Sequence, residues 1–277
     1  MKAARFDYQR APDLAGALAL LAADAGGSTR ALAGGQSLGP MLNLRLARPA
    51  RLIDLGAISA LREISGDGER WRIGAGVTHA RIEDASEPLD GRGYLRHVAS
   101  GIAYRAVRNR GTIGGSLAHA DPAADWPLAL AAIDARVCIA GPRGSRQVGA
   151  DGFMRAGFST VLADDELIEA IEGPVLGTQA RWGYFKICRK TGEFPEASAA
   201  AVFDPERRVA RIVAGALAGA PVLLAGLAAA CARQGEIALT RAAVDQALVD
   251  AGLALDAVER RLHATAILRA TAQVFAR

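Results

Sequence analysis

Apolar positions along this chain recur with two different periods, and the switches between them outline its elements. After Pro12 and Asp13, Leu14, Leu18 and Leu21 stand at i, i+4 and i+7, the spacing of an amphipathic helix with one buried face. Residues 30–33 form a short apolar run that stops at Gly34 and Gly35, and residues 51–55 (RLIDL) form a second strand-like run. The pattern is β-like again over residues 71–77 (WRIGAGV) and 135–140 (ARVCIA), with a helical stretch at residues 125–133 between glycine-rich turns. The run DELIEAI leads to a break at Gly173 and Pro174. Beyond that break residues 182–188 are strand-like, and the chain after Pro221 is largely helical. No internal repeat or low-complexity tract interrupts this order. It predicts an α+β architecture of two domains, with the boundary near residues 173–180.

Two apolar stretches imitate membrane signals. Lys2, Arg5 and Arg10 precede the first, residues 14–23, in the manner of a secretory leader. A cleaved leader needs no helix start at Pro12–Asp13 and no single buried face, so a folded helix is expected there. The second, residues 212–232, is long enough to cross a bilayer but is mostly Ala and Gly and is broken by Pro221. It predicts a strand ending near Gly219 and a helix from Pro221 with an Ala-rich packing face, and no membrane span.

Composition narrows the function. The chain has 277 residues, 51% of them hydrophobic, enough for a sizeable core. Its net charge of +4 is scattered rather than gathered in a tail, which gives no reason to expect a nucleic-acid partner. Cys138, Cys188 and Cys231 are widely separated and none forms a CxxC pair, as expected for reduced thiols in a cytoplasmic protein.

Two glycine-rich segments carry the candidate chemistry. The first is Ala33, Gly34, Gly35, Gln36, Ser37 and Leu38, placed directly after a strand-like run. Glycine reaches φ > 0 and lets backbone approach a ligand, so successive N–H groups can converge on an anionic oxygen, with the Ser37 hydroxyl as a further donor. An ordinary turn reads the same way. The second, VRNRGTIGGSLAHADPAADWP from residue 107 to 127, holds three glycines within five residues (Gly111, Gly114, Gly115). That density argues against a helix or strand interior and for a bend, flanked by the hydroxyls of Thr112 and Ser116. Asp121 and Asp125 follow as carboxylates able to accept hydroxyl or amide protons, although Asp125 ahead of an apolar helix also reads as a cap. Neither segment has the GxGxxG of a doubly wound dinucleotide fold or a P-loop lysine. His79, His97 and His119 are too dispersed for a metal site and read as surface or hydrogen-bonded residues, His119 being notable for its place in the second segment. Arg105, Arg108 and Arg110 read as a solvated face, as a dock for an acidic partner or as counter-charge to a pyrophosphate.

These segments, with FDYQRAP at residues 6–12, AGGQSLGPMLNLRLARP at 33–49, IGAGVTH at 73–79, and weaker matches in FKICRKTGEF and LHATAILRA, resemble the FAD-binding medium subunits of molybdenum hydroxylases. That group includes carbon monoxide dehydrogenase, xanthine dehydrogenase and related aromatic hydroxylases. The resemblance implies a PCMH-type fold like that of vanillyl-alcohol oxidase: an FAD-binding domain over residues 1–175, in subdomains of about 1–57 and 58–175, and a flavoprotein C-terminal α+β domain over 176–277. It further implies that residues 33–38 hold the FAD pyrophosphate, and that Thr112, Ile113, Gly114, Gly115 and Ser116, with Ala118, contact the phosphates and run beside the isoalloxazine. Asp125 would accept a bond from ribityl or ring atoms, and Ile168 and Lys186 would approach the flavin. A cation near the ring favours the anionic reduced flavin, although Lys186 is also readable as a solvated lysine. Two departures stand out. The loop around Glu193 and Pro195 has Glu where the family has Asp before the aromatic, and a proline after it. Ser116 replaces a common Asn.

By the same resemblance the chain relays electrons from iron–sulfur clusters to an external acceptor. A cluster needs four suitably spaced cysteines, so 2Fe-2S clusters and the molybdopterin cofactor are expected on partner subunits, one small and one large, in a heterotrimer that dimerises again. No catalytic acid, base or metal ligand is expected on this chain, because the flavin carries the chemistry. The competing readings are a stand-alone FAD-dependent oxidoreductase acting on a small molecule and, more remotely, an anion-binding domain that has lost FAD.

Overall fold

The computed structural model describes residues 2–24, 27–87 and 89–276. Its first unit is β1 (Asp7–Arg10), α1 (Leu14–Ala22), β2 (Thr29–Leu32), α2 (Leu38–Asn43) and β3 (Arg51–Asp54). The three strands are parallel in the order β1-β3-β2, so each helix is a crossover between strands that point the same way. Asp13 caps α1 by accepting from the Gly16 N–H at 2.7 Å, and Ala17 and Leu21 then pack against Ile53, Ile58 and Leu61. The 3.6-residue period read from the sequence is therefore a real buried face. Both connections leave the C-terminal end of the parallel strands, and the one after β2 is the first glycine segment.

The second unit runs through β4 (Ile64–Gly66), β5 (Arg70–Gly74), α3 (His79–Glu83), α4 (Tyr94–Ser100), α5 (Arg105–Arg108), α6 (Ile113–His119), α7 (Asp125–Ala132), β6 (Arg136–Gly141), β7 (Gly144–Gly149), α8 (Ala150–Phe153), the small hairpin β8 (Met154–Ala156) and β9 (Ser159–Thr160), and β10 (Leu167–Pro174). Its antiparallel sheet has the order β4-β5-β10-β6-β7. One face is apolar, with Trp71, Ile73, Val137, Ile139 and Ile171 in the core. On the other, Arg72 bridges Glu169 and Glu172.

The third unit is a meander of β11 (Arg181–Ile187), β12 (Ala197–Asp204), β13 (Val209–Gly215) and β14 (Val222–Leu223), followed by α9 (Ala225–Gln234), α10 (Arg241–Asp250) and α11 (Ala257–Phe275). The alanines of β12 are buried on both faces, Ala200 with the core of the second unit and Ala197, Ala199 and Ala201 with α11. Small side chains are what allow helices to approach from both sides: a Cβ on Gly183 would stand 1.8 Å from the Ala270 carbonyl oxygen of α11. Helix α7 is buried from Trp126 to Ala132 because it lies between this sheet and the second, sharing one core with Val137, Val202 and Val213.

Residues 212–232 differ from expectation at two points. The strand ends at Gly215, and the helix begins at Ala225 rather than Pro221, because Val222 and Leu223 first pair back onto β13. Among the described residues no helix is long and apolar enough to cross a membrane.

Candidate cofactor site

The two glycine segments meet. A Cβ on Gly34 would lie 2.0 Å from the carbonyl oxygen of Arg110 and 2.9 Å from the Gly111 Cα, and one on Gly115 would stand 3.7 Å from the Ala33 Cβ. Only glycine at position 34 permits this contact between the first unit and the second. Gly35 follows at φ +72°, in the left-handed region, and turns the chain into α2. Among the described residues the N–H groups of Gly34, Gly35, Gln36 and Ser37 donate to no protein acceptor; Gln36 Nε2 reaches the Gly34 carbonyl at 3.3 Å. Ser37 is exposed and its hydroxyl does not cap α2. Leu38, half-buried, opens that helix.

The second segment is built differently. Gly114 and Gly115 are not a bend but the first turn of α6, where Thr112 is the cap and accepts from the Gly115 N–H at 3.0 Å. The absence of a Cβ on Gly114 lets α6 rest directly on Ala75, 2.4 Å from where that Cβ would stand. Ile113 N–H donates to Val77 O at 3.0 Å, Gly114 N–H to Ala75 O at 2.9 Å and Ser116 N–H to Thr112 O at 3.0 Å. The amides of residues 113–116 are thus bound within the protein, and the free donors of the site belong to residues 34–37. Ser116 keeps a hydroxyl without a protein partner among the described residues, and Ala118 is exposed on α6.

His79 lies beneath this segment. Its N–H donates to Gly111 O at 2.9 Å, and its ring Nδ1 accepts from Trp126 Nε1 at 3.1 Å. Burial, with a smaller contribution from the Arg108 charge, lowers its pKa to about 4, so the ring is neutral near pH 7. Trp126 follows Asp125, which is the first residue of α7 rather than its cap. Asp125 Oδ1 accepts from the Tyr184 hydroxyl at 2.6 Å and from Lys186 Nζ at 2.9 Å, and that ammonium also donates to Gly101 O at 2.9 Å. Lys186 is therefore a paired, nearly buried cation rather than a solvated one. Burial, reinforced by Asp125, holds the Tyr184 phenol well above its usual pKa. The sequence pattern alone does not single out Tyr184; its place two residues before Lys186 on β11, which puts both on one face, is the available signal.

Other expected residues lie further off. Ile168 is buried in the core, opposite Ile139. Asp121 turns back on its own chain, accepting from Ala123 N–H at 2.9 Å, and His119 packs on Phe158 with ring centroids 5.2 Å apart. Arg105 and Arg108 are tied to Glu83 and Asp84, and Arg108 also holds the carbonyls of Ile102 and Ala103 at 3.0 Å, which leaves Arg110 as the exposed arginine of the three without an acidic partner among the described residues. A cavity of about 600 Å³ lies beside α3, lined by residues such as Thr78, Arg81, Asp84 and Asn109. It touches the second segment only at Asn109, and none of residues 33–38 and none of the glycines of the second segment lines it, so its size does not make it the site. Among the described residues no group of three or more His, Cys, Asp or Glu is arranged to hold a metal ion.

The donor set of residues 34–37, neutral amides in a turn free of carboxylates, fits the diphosphate of a flavin nucleotide. Residues 4–176 match the family described as FAD binding domain in molybdopterin dehydrogenase. The chain belongs to that family. It is 39% identical over 203 residues to the carbon monoxide dehydrogenase medium chain of Hydrogenophaga pseudoflava, covering 72% of this chain and 69% of that one. It is 35% identical over 204 residues to the nicotine 6-hydroxylase medium subunit of Paenarthrobacter nicotinovorans, covering 74% and 71%. Carbon monoxide dehydrogenase from Hydrogenophaga pseudoflava, solved without the Mo-pyranopterin moiety of its cofactor, superposes with a TM-score of 0.92 at 32% identity and 99% coverage of both chains. The α+β FAD-binding fold and the medium-subunit resemblance read from the sequence are both borne out. This is an FAD-binding, electron-transferring subunit of a molybdenum hydroxylase.

Proposed function

We propose that this medium subunit holds FAD with its diphosphate on the amides of residues 34–37, braced by residues 111–116, and its ring end toward Asp125 and Lys186. The observation that carries the reading is the contact of Gly34 with Arg110, which closes two sequence-distant segments around one row of free N–H donors. Bound FAD supplies the redox chemistry, taking up electrons from iron–sulfur clusters and giving them to an external acceptor. The protein's part is electrostatic and geometric. The amides meet the diphosphate charge, the Lys186 ammonium places a positive charge held by Asp125 at the ring end, and the Tyr184 phenol stays protonated beside them.

Residues 1–175 form the FAD-binding domain in this reading, with subdomains of about 1–57 and 58–175, and residues 176–277 form the C-terminal flavoprotein domain. The partners are a molybdenum-binding large subunit and a 2Fe-2S small subunit, in a cytoplasmic dimer of heterotrimers. The relatives are named medium chains, and three dispersed cysteines are too few to ligate a cluster, both of which support partner subunits carrying the other centres. The test is reconstitution of the purified chain with FAD, followed by addition of candidate substrates. The flavin is expected to stay oxidised until the partner subunits are added; bleaching of the visible flavin band by substrate alone would favour a stand-alone oxidoreductase.

A further inference from the structure

We propose that His79 is a positioning residue that sets the distance between the phosphate-binding loop at residues 33–38 and the Asp125–Lys186 pair. The proposal rests on the site reading above and assigns the imidazole a part in it that no direct contact with the cofactor requires.

The argument is a continuous column of contacts. Gly34 lies against the carbonyl oxygen of Arg110, and a Cβ on the next residue, Gly111, would stand 2.8 Å from His79 Nε2. The His79 backbone N–H holds Gly111 O at 2.9 Å, so backbone and ring of one residue grip the same turn. The other edge of the ring accepts the Trp126 indole N–H at 3.1 Å, and Trp126 is fully buried at the start of α7. The next residue toward the N-terminus is Asp125, bound to Tyr184 and Lys186. His79 is itself 5% exposed. Between the loop and the ring-end pair, its side chain therefore touches both the glycine turn and α7.

Chemistry fixes its identity as well as its shape. Since Nδ1 accepts from the indole, the proton sits on Nε2, the edge against Gly111. An aliphatic side chain at position 79 would leave the buried indole N–H without its acceptor, and α7 would have to shift to rehydrate it. That shift would carry Asp125 away from the loop while leaving the amides of residues 34–37 intact. Asn places its carbonyl oxygen close to the position of Nδ1, whereas Gln carries its amide further out, near Nε2. The two conservative replacements therefore separate acceptor position from bulk and polarity.

The experiment measures FAD affinity of the full-length chain by quenching of flavin fluorescence, with the visible circular dichroism of the bound flavin as a reporter of the ring end. His79→Asn is expected to bind within about three-fold of the native protein, and His79→Leu and His79→Gln to lose on the order of ten-fold, with a changed dichroic band. Trp126→Phe, which removes only the indole side of the contact while keeping an aromatic ring, is expected to show the same loss, and His79→Leu on that background to add nothing further. Native affinity and dichroism in Trp126→Phe overturn the proposal even where the leucine variant does not fold, and so do equal losses in the Asn and Gln variants. Gly34→Ala serves as the control on the site itself: if it binds FAD as the native chain does, the site reading fails irrespective of the His79 series.

Discussion

Lys186 Nζ lies 2.9 Å from Asp125 Oδ1, a contact that ties β11 to the first residue of α7 across 61 positions of sequence. Both side chains are nearly buried, at 12% and 9% exposure, so each charge depends on the other for solvation, the carboxylate also on the Tyr184 hydroxyl and the ammonium also on the Gly101 carbonyl.

Removal of the ammonium by Lys186→Met leaves Asp125 as a buried carboxylate held by one phenol. The expected loss is about 3 kcal/mol, while Lys186→Met with Asp125→Asn restores part of it, because no uncompensated charge then remains. Urea unfolding of the two single variants and the double variant checks this. Additive losses would show that the pair does not act as a unit.

Position 34 tolerates no side chain, since even a methyl would stand 2.0 Å from the Arg110 carbonyl oxygen. Gly34→Ala is expected to purify with FAD content reduced at least about ten-fold in the ratio of visible to ultraviolet absorbance, the loop being pushed off the second segment. Gly39, one turn later in α2, has nothing within 4 Å of its added Cβ. Gly39→Ala is expected to keep its FAD and to gain about 0.5 kcal/mol, through the lower backbone entropy of the unfolded chain.

Much of this site is legible in the sequence where the signal is local. Gly34 and Gly35 after an apolar run do mark a strand-to-helix turn with free amides, and Pro12–Asp13 does start a helix. The second segment misleads because its glycines serve packing rather than a bend. The carbonyls that bind the Gly114 and Ile113 amides belong to Ala75 and Val77, brought alongside only when the end of β5 and α6 meet. The same holds for Asp125, whose cap-like setting hides partners on β11, and for Pro221, whose helix start is overridden by two residues returning to β13. Long-range pairing decides each case, and periodicity carries no record of it.

Glu83 bonds Arg105 and Arg108 together, and Arg108 in turn holds the carbonyls of Ile102 and Ala103 just before α5. Because α5 leads into the Arg110–Gly111 turn, Glu83→Ala is expected to cost about 2 kcal/mol and to loosen that turn. Hydrogen–deuterium exchange over residues 105–112 should accelerate in the variant, and unchanged protection would mean that Arg108 is held by the two carbonyls alone.

The neutral state of His79 makes acid stability of this subunit depend in part on its ring, alongside His97, which burial also holds below the usual histidine value. The pKa of His79 falls from 6.5 to about 4 on burial, so between those values the unfolded chain binds a proton that the folded one refuses. Stability therefore rises with pH across that window: the contribution of the neutral ring is complete above pH 6.5, declines as the pH falls, and is exhausted near pH 4. The shift corresponds to about 3 kcal/mol at full extent. His79→Asn keeps an acceptor for Trp126 but has no proton to take up, so its unfolding free energy is expected to fall less steeply than that of the native chain between pH 6.5 and 4. Urea titrations at several pH values across the window measure the difference directly. Parallel curves would place the acid sensitivity elsewhere, and a steeper curve for the Asn variant would mean that the native ring is charged where it lies.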